Sequence, residues 1–179
     1  MEEKRFRKNM DLLDWYDALV FALAALVLVF AFCVRVVVVD GHSMEPTLHE
    51  QDRLLVQSTF YKPQHGDVVV VDGYINYGKP LVKRVIAVGG DTVDIDAEKG
   101  IVYVNGEALD EPYTAEPTYI EGDIGFPLTV PQGQLFLMGD NRQHSTDSRF
   151  VSVGLIDERD ILGKVLWRIF PLSTFGRIK

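Results

Sequence analysis

From Ala18 to Val34 the chain runs for 17 residues without a polar side chain. At about 1.5 Å rise per residue, a helix of that length reaches the short end of a membrane span. Trp15 and Tyr16 stand just before the run, where aromatic rings suit an interface, and Arg35 closes it. No amphipathic stripe is visible, which argues against a buried core helix. Ala22 and Ala24 form an A-x-A pattern, but inside the run, so a cleaved leader is disfavoured. The bulky Phe32 before Cys33 disfavours lipoprotein-type processing. The expectation is a single retained anchor. Lys4, Arg5, Arg7 and Lys8 precede it and Arg35 alone closely follows. The positive-inside rule then puts the N-terminus in the cytoplasm and residues 36–179 outside.

Beyond Arg35 the pattern changes to short β-branched runs. Val36–Val39, Leu54–Val56, Val68–Val71, Leu81–Val88, Thr92–Ile95, Ile101–Val104, Leu135–Met138 and Lys164–Ile169 read as strands, divided by Gly, Pro, Asn and Asp. Asn105-Gly106 marks a tight hairpin, since both residues tolerate positive φ. Residues 105–133 hold four of the eight prolines, a loop-rich insertion or cap. The predicted class is mainly β: a cytoplasmic N-terminus and single transmembrane helix (1–35), then an antiparallel β-sheet domain (36–179) with a small β insertion.

Composition narrows the function. The net charge is −8 with no basic cluster beyond the N-terminus, so nucleic-acid binding is disfavoured. The single cysteine, Cys33, excludes an intramolecular disulfide and a cysteine zinc cluster. No His, Asp and Glu grouping has metal-ligand spacing, and no cofactor is implied.

Three polar segments stand out. Gly41-His42-Ser43-Met44-Glu45-Pro46-Thr47-Leu48 places a serine in a turn after a strand. By itself that is most often a residue bonding to its own backbone. In Leu81–Val88 two cations interrupt an apolar strand. Alternation puts Lys83 with Leu81 and Val85 on one face and Arg84 with Val82 and Ile86 on the other, so one cation heads inward. The bland reading is an edge strand guarded by charge. The run Met138–Arg149 is dense in groups that fix loops.

Together, the blocks around Ser43, Lys83 and Met138–Arg149 resemble those of the bacterial type I signal peptidases. They occur in the family's order behind an N-terminal anchor, as in the compact members typical of Gram-positive bacteria. The resemblance implies Ser43 as nucleophile and Lys83 as general base. It implies Ser145 as a residue that orients the lysine, Asp147 and Arg149 as supports of the active-site loop, and Arg84 beside the base. Val39, Met44, Leu81 and Val82 match pocket-lining positions. The small β subdomain is expected at residues 94–133. The implied substrates are exported preproteins with Ala-x-Ala-type cleavage sites, met at a lipid surface. Some members carry a serine two positions before the nucleophile; here it is Gly41, which leaves the oxyanion to backbone N–H groups.

A lysine can act as base only when neutral, so its pKa of ~10.4 must fall, which burial accomplishes. Leu81, Val82, Val85, Met44 and Met138 are candidates for the apolar surroundings. Lowering it to roughly 8–9 costs about 2–3 kcal/mol. Ser43 lies nine positions beyond Val34, a reach of at most ~30 Å. The site should therefore sit near the membrane surface.

Three other readings compete. A Ser-His-Asp hydrolase would use His144 with Asp140 or Asp147, since His42 adjoins Ser43 and points the other way in an extended chain. A self-cleaving regulatory protease of the Ser/Lys class would normally be soluble. A catalytically silent, membrane-tethered β module would bind exported proteins without turnover.

Overall fold

The computed structural model describes residues 2–59 and 61–178, and the side chains of residues 2–12, 29, 31 and 32 lie outside the description. The first element is a helix, α1 (Glu2–Phe32). Every described side chain from Leu13 to Leu28, and that of Phe30, is exposed, so no other described part of the chain covers these side chains. Among the described residues no helix is long and apolar enough to cross a membrane. The basic side chains of Lys4, Arg5, Arg7 and Lys8 lie outside the described residues, as do three apolar side chains of the expected span.

Among the described residues twelve strands follow: β1 (Val34–Val38), β2 (Arg53–Gln57), β3 (Val68–Val71), β4 (Leu81–Val88), β5 (Thr92–Asp96), β6 (Ile101–Val104), β7 (Glu107–Ala108), β8 (Leu128–Thr129), β9 (Gln134–Met138), β10 (Ile156–Asp157), β11 (Ile161–Phe170) and β12 (Gly176–Arg177). All pairings are antiparallel. The large sheet has the order β1-β2-β11-β3-β4-β9-β10, with β12 on β11, and the small sheet runs β7-β6-β5-β8. Val34 and Arg35 already belong to the large sheet, opposite Gln57 and Val56, so the helix gives way to strand before Arg35. Segment 94–133 contains β6 to β8 and the last three residues of β5.

Period-two alternation explains why the middle of the large sheet is buried on both faces. Val68 and Val70 pack with Val39, Met44, Leu48, Leu54, Val56 and Val165, whereas Val69 and Val71 pack with Val85, Leu135 and Leu137. Ile86, Phe136 and Met138 meet Val93, Ile95, Val102 and Val130, which seats the small sheet on the large one. The predicted hairpin turns at Asn105 (φ 55°) and Gly106 (φ 82°), both in the left-handed region that a type I′ turn requires.

One expectation is corrected. Alternation suggested that only one of the cations on β4 would head inward, but both are buried: Lys83 is 2% and Arg84 1% exposed. β4 lies between β3 and β9 with chain packed over both faces, so neither side of the strand is a solvent side. The edge-strand reading fails from Arg84 onward, where β9 pairs with β4, while Leu81–Lys83 pair with β3.

Candidate active site

The turn carrying Ser43 leaves the end of β1 and folds back so that the Gln51 N–H meets the Val39 carbonyl. Apolar anchors hold it, with Met44 and Leu48 fully buried. From β4, Lys83 reaches this turn, and its Nζ lies 2.5 Å from Ser43 Oγ. Burial is the largest influence on the lysine and pulls its pKa down to about 8; Asp147 and Asp140 oppose this, and Arg149 assists it.

The third block closes the site from below. Asp147 is fully buried and accepts from five groups. These are the Gly139 N–H (2.9 Å), the Ser145 hydroxyl (2.6 Å), and Arg149 through Nε (2.8 Å), Nη2 (2.9 Å) and its backbone N–H (3.3 Å). Arg149 also donates to the carbonyls of Ile120 and Arg142, tying the insertion to this loop. Gly139 cannot be replaced by a larger residue without movement: an added Cβ would lie 2.3 Å from Ser145 Oγ and 2.4 Å from the Ser43 carbonyl oxygen. The Ser145 hydroxyl spends its proton on Asp147, so toward any other group it acts as an acceptor.

Arg84 forms a second buried centre. It donates to Asp140 through Nε (2.8 Å) and Nη2 (2.6 Å), and to the Gly66 carbonyl through Nη1 (2.7 Å). The Tyr113 ring covers its guanidinium at 3.9 Å. Arg142 pairs with Glu111 and donates to Thr118.

Ser43, Lys83, Val39, Met44, Leu81 and Val82 all line one cleft of about 550 Å³. Val39 and Met44 are buried and form its deep wall. The remaining expected residues, Ser145, Asp147, Arg149 and Arg84, stand behind the cleft. Sequence reasoning missed Tyr77, Lys79 and Pro80 in the β3–β4 loop, and Thr146, which complete the walls. It also missed Thr47, Glu111, Tyr113 and Arg142. Thr47 sits in the Ser43 block and Arg142 in the Met138–Arg149 block, but nothing local showed their partners.

His144 also lines the cleft, yet the two aspartates considered for it are engaged elsewhere, Asp140 with Arg84 and Asp147 with Arg149. His42 is bonded to Glu45, which raises its pKa. Among the described residues no group of three or more His, Cys, Asp or Glu side chains could hold a metal ion.

The model of the family described as signal peptidase, peptidase S26, matches residues 12–170. Signal peptidase I of Bacillus licheniformis is 37% identical, with 98% of each chain covered. Signal peptidase I S of Bacillus subtilis (strain 168) is 34% identical over 99% of each. A solved signal peptidase I from Enterococcus faecalis V583 is 29% identical, with a TM-score of 0.48 over 59% of this chain and 98% of that one. Matched by the family model across most of its length and by the two Bacillus relatives nearly end to end, the chain belongs to the signal peptidase family, peptidase S26.

Proposed function

We propose that Ser43 and Lys83 perform the reaction of this chain, which as a family member is a serine endopeptidase that removes signal peptides from exported preproteins. The observation that carries the reading is the 2.5 Å contact between the Ser43 hydroxyl and a buried lysine whose pKa is lowered to about 8. Neutral Lys83 takes the hydroxyl proton as Ser43 Oγ attacks the scissile carbonyl. The tetrahedral intermediate collapses, the C–N bond breaks, and the Lys83 ammonium returns the proton to the departing amine of the mature protein. Water, deprotonated by the again neutral lysine, then attacks the acyl-Ser43 ester, the acyl–Oγ bond breaks, and the Lys83 ammonium returns the proton to Ser43 Oγ as the signal peptide is freed. The Asp147–Arg149 network holds the loop bearing Ser145 beside this pair.

The substrate binds extended between two strand edges. β9 pairs with β4 only from Arg84 onward, which leaves Leu81–Lys83 without a strand on that side, and β1 ends the sheet. A chain laid there would complete both edges by main-chain hydrogen bonds. The buried Val39 and Met44 favour small apolar side chains, hence Ala at the first and third positions before the cut. The exposed apolar α1 favours a membrane setting, with α1 as a single anchor, the N-terminus cytoplasmic and the peptidase domain outside.

The test is incubation with a preprotein. Wild type should release the mature protein, and Ser43→Ala and Lys83→Ala should not while remaining folded. Near-normal turnover by either variant would remove the dyad. A preprotein with Asp in place of Ala just before the cut should be refused, and equal processing of both would sink the pocket assignment.

A further inference from the structure

We propose that Thr47 is a positioning residue for this reaction, setting the nucleophile turn against the strand that carries the base. Two ion pairs flank the turn, one buried and one partly buried. On one side Arg84 grips Asp140, and on the other Arg168 pairs with Asp52 at 3.0 Å. Thr47 touches both. Its hydroxyl donates to Asp140 Oδ2 at 2.5 Å, and its carbonyl accepts from Arg168 Nη1 at 3.2 Å. Asp140 belongs to the segment that also meets Ser43 directly, because the Asn141 N–H donates to the Ser43 carbonyl at 3.0 Å. Asp52 in turn accepts from the His49 N–H at 2.9 Å.

The consequence is geometric. Arg84 follows Lys83 on β4, so the Thr47 hydroxyl, bonded to an Asp140 that lies 93 residues further along the chain, fastens the Ser43 turn to the base strand through the Arg84–Asp140 pair. Among the described residues the backbone bond to Ser43 comes from Asn141. The Thr47 hydroxyl is the side-chain link from the nucleophile turn to the carboxylate that grips β4. Proton transfer needs heavy atoms within about 2.6–3.2 Å, and displacement by roughly 1 Å can cost on the order of 10²-fold in rate.

The inference rests on the Ser43–Lys83 reading, and Ser43→Ala serves as the control that separates the two. In the full chain with a preprotein substrate, Thr47→Val, which keeps the shape and removes the donor, should lower kcat about tenfold with KM within about twofold. The acidic limb of the pH profile should stay in place, since base strength is untouched. Thr47→Ser should recover kcat to within about twofold of wild type. An unchanged kcat in folded Thr47→Val overturns the proposal, as does a loss confined to KM, a displaced limb, or a Thr47→Ser variant as slow as Thr47→Val. If Thr47→Val fails to fold, Thr47→Ala against Thr47→Ser must show the same contrast at reduced temperature, and failure of both to fold assigns Thr47 a structural role alone. An active Ser43→Ala would instead overturn the dyad itself.

Discussion

Lys83 and Arg84 are neighbours on one strand and equally buried, yet their surroundings differ in kind. Arg84 is matched by a two-pronged carboxylate, a backbone carbonyl and an aromatic face. Lys83 has the Ser43 hydroxyl, and burial lowers its pKa to about 8. A guanidinium cannot give up its proton in a protein, so its site must supply full compensation. An ammonium can, and a site that compensates it poorly makes its proton easier to remove. The two regions show how a protein places a permanent charge and a removable one side by side: by what it provides around each.

The largest effect is expected when the removable charge is replaced by the permanent one. Lys83→Arg should lose on the order of 10²–10⁴-fold in kcat, because the guanidinium stays protonated. Turnover near wild type in single-turnover assays would show that no base acts at this position.

Removing compensation from the other cation should act on stability. Asp140→Ala leaves Arg84 buried without its carboxylate, and the expected loss is about 3–5 kcal/mol. For a domain of this size that is a fall in Tm of roughly 10 °C. A shift below about 2 °C in calorimetry would show that Gly66 and Tyr113 suffice.

The converse variant sharpens the contrast. Lys83→Met should stabilise the inactive protein at pH 7 by about 1–3 kcal/mol, because it removes a poorly compensated ammonium. The sign follows from linkage. The folded pKa of about 8 lies below the unfolded value, so the native state binds fewer protons between the two. Wild-type stability therefore rises with pH across that window, and the Met advantage should shrink from about pH 8 upward. Denaturant titrations at pH 7 and pH 10 showing a constant difference would refute this. The same pKa predicts that kcat/KM falls as pH drops through about 8. A limb near ~6.5, abolished by His144→Ala, would transfer the base role to a histidine.

Ser145→Ala should have the smallest effect, about tenfold in kcat, because it removes one hydrogen bond and leaves both reacting groups. A loss as large as that of Lys83→Ala would make Ser145 part of the chemistry.

Much of this was legible along the chain because the signals are local. β3, β4 and β6 fall where the β-branched runs predicted them, and the Asn105-Gly106 turn declares its own conformation. The short strands β7, β8, β10 and β12 have two residues each and carry no periodicity to read. Ser43 and Lys83 were found through motif blocks, since neither residue is distinctive alone.

The chain alone carries the order of its longer strands and their turns, the apolar run near the N-terminus and the residue types available for acid–base chemistry. Each of those depends on neighbours a few residues apart. Tertiary structure alone decided that both β4 cations are buried, that the carboxylate for Arg84 comes from residue 140 and the ring over it from residue 113, and that Thr47 joins two ion pairs. The physical reason is that burial and charge compensation are set by whatever packs across the sheet. Those partners arrive from dozens of residues away, where no local pattern records them.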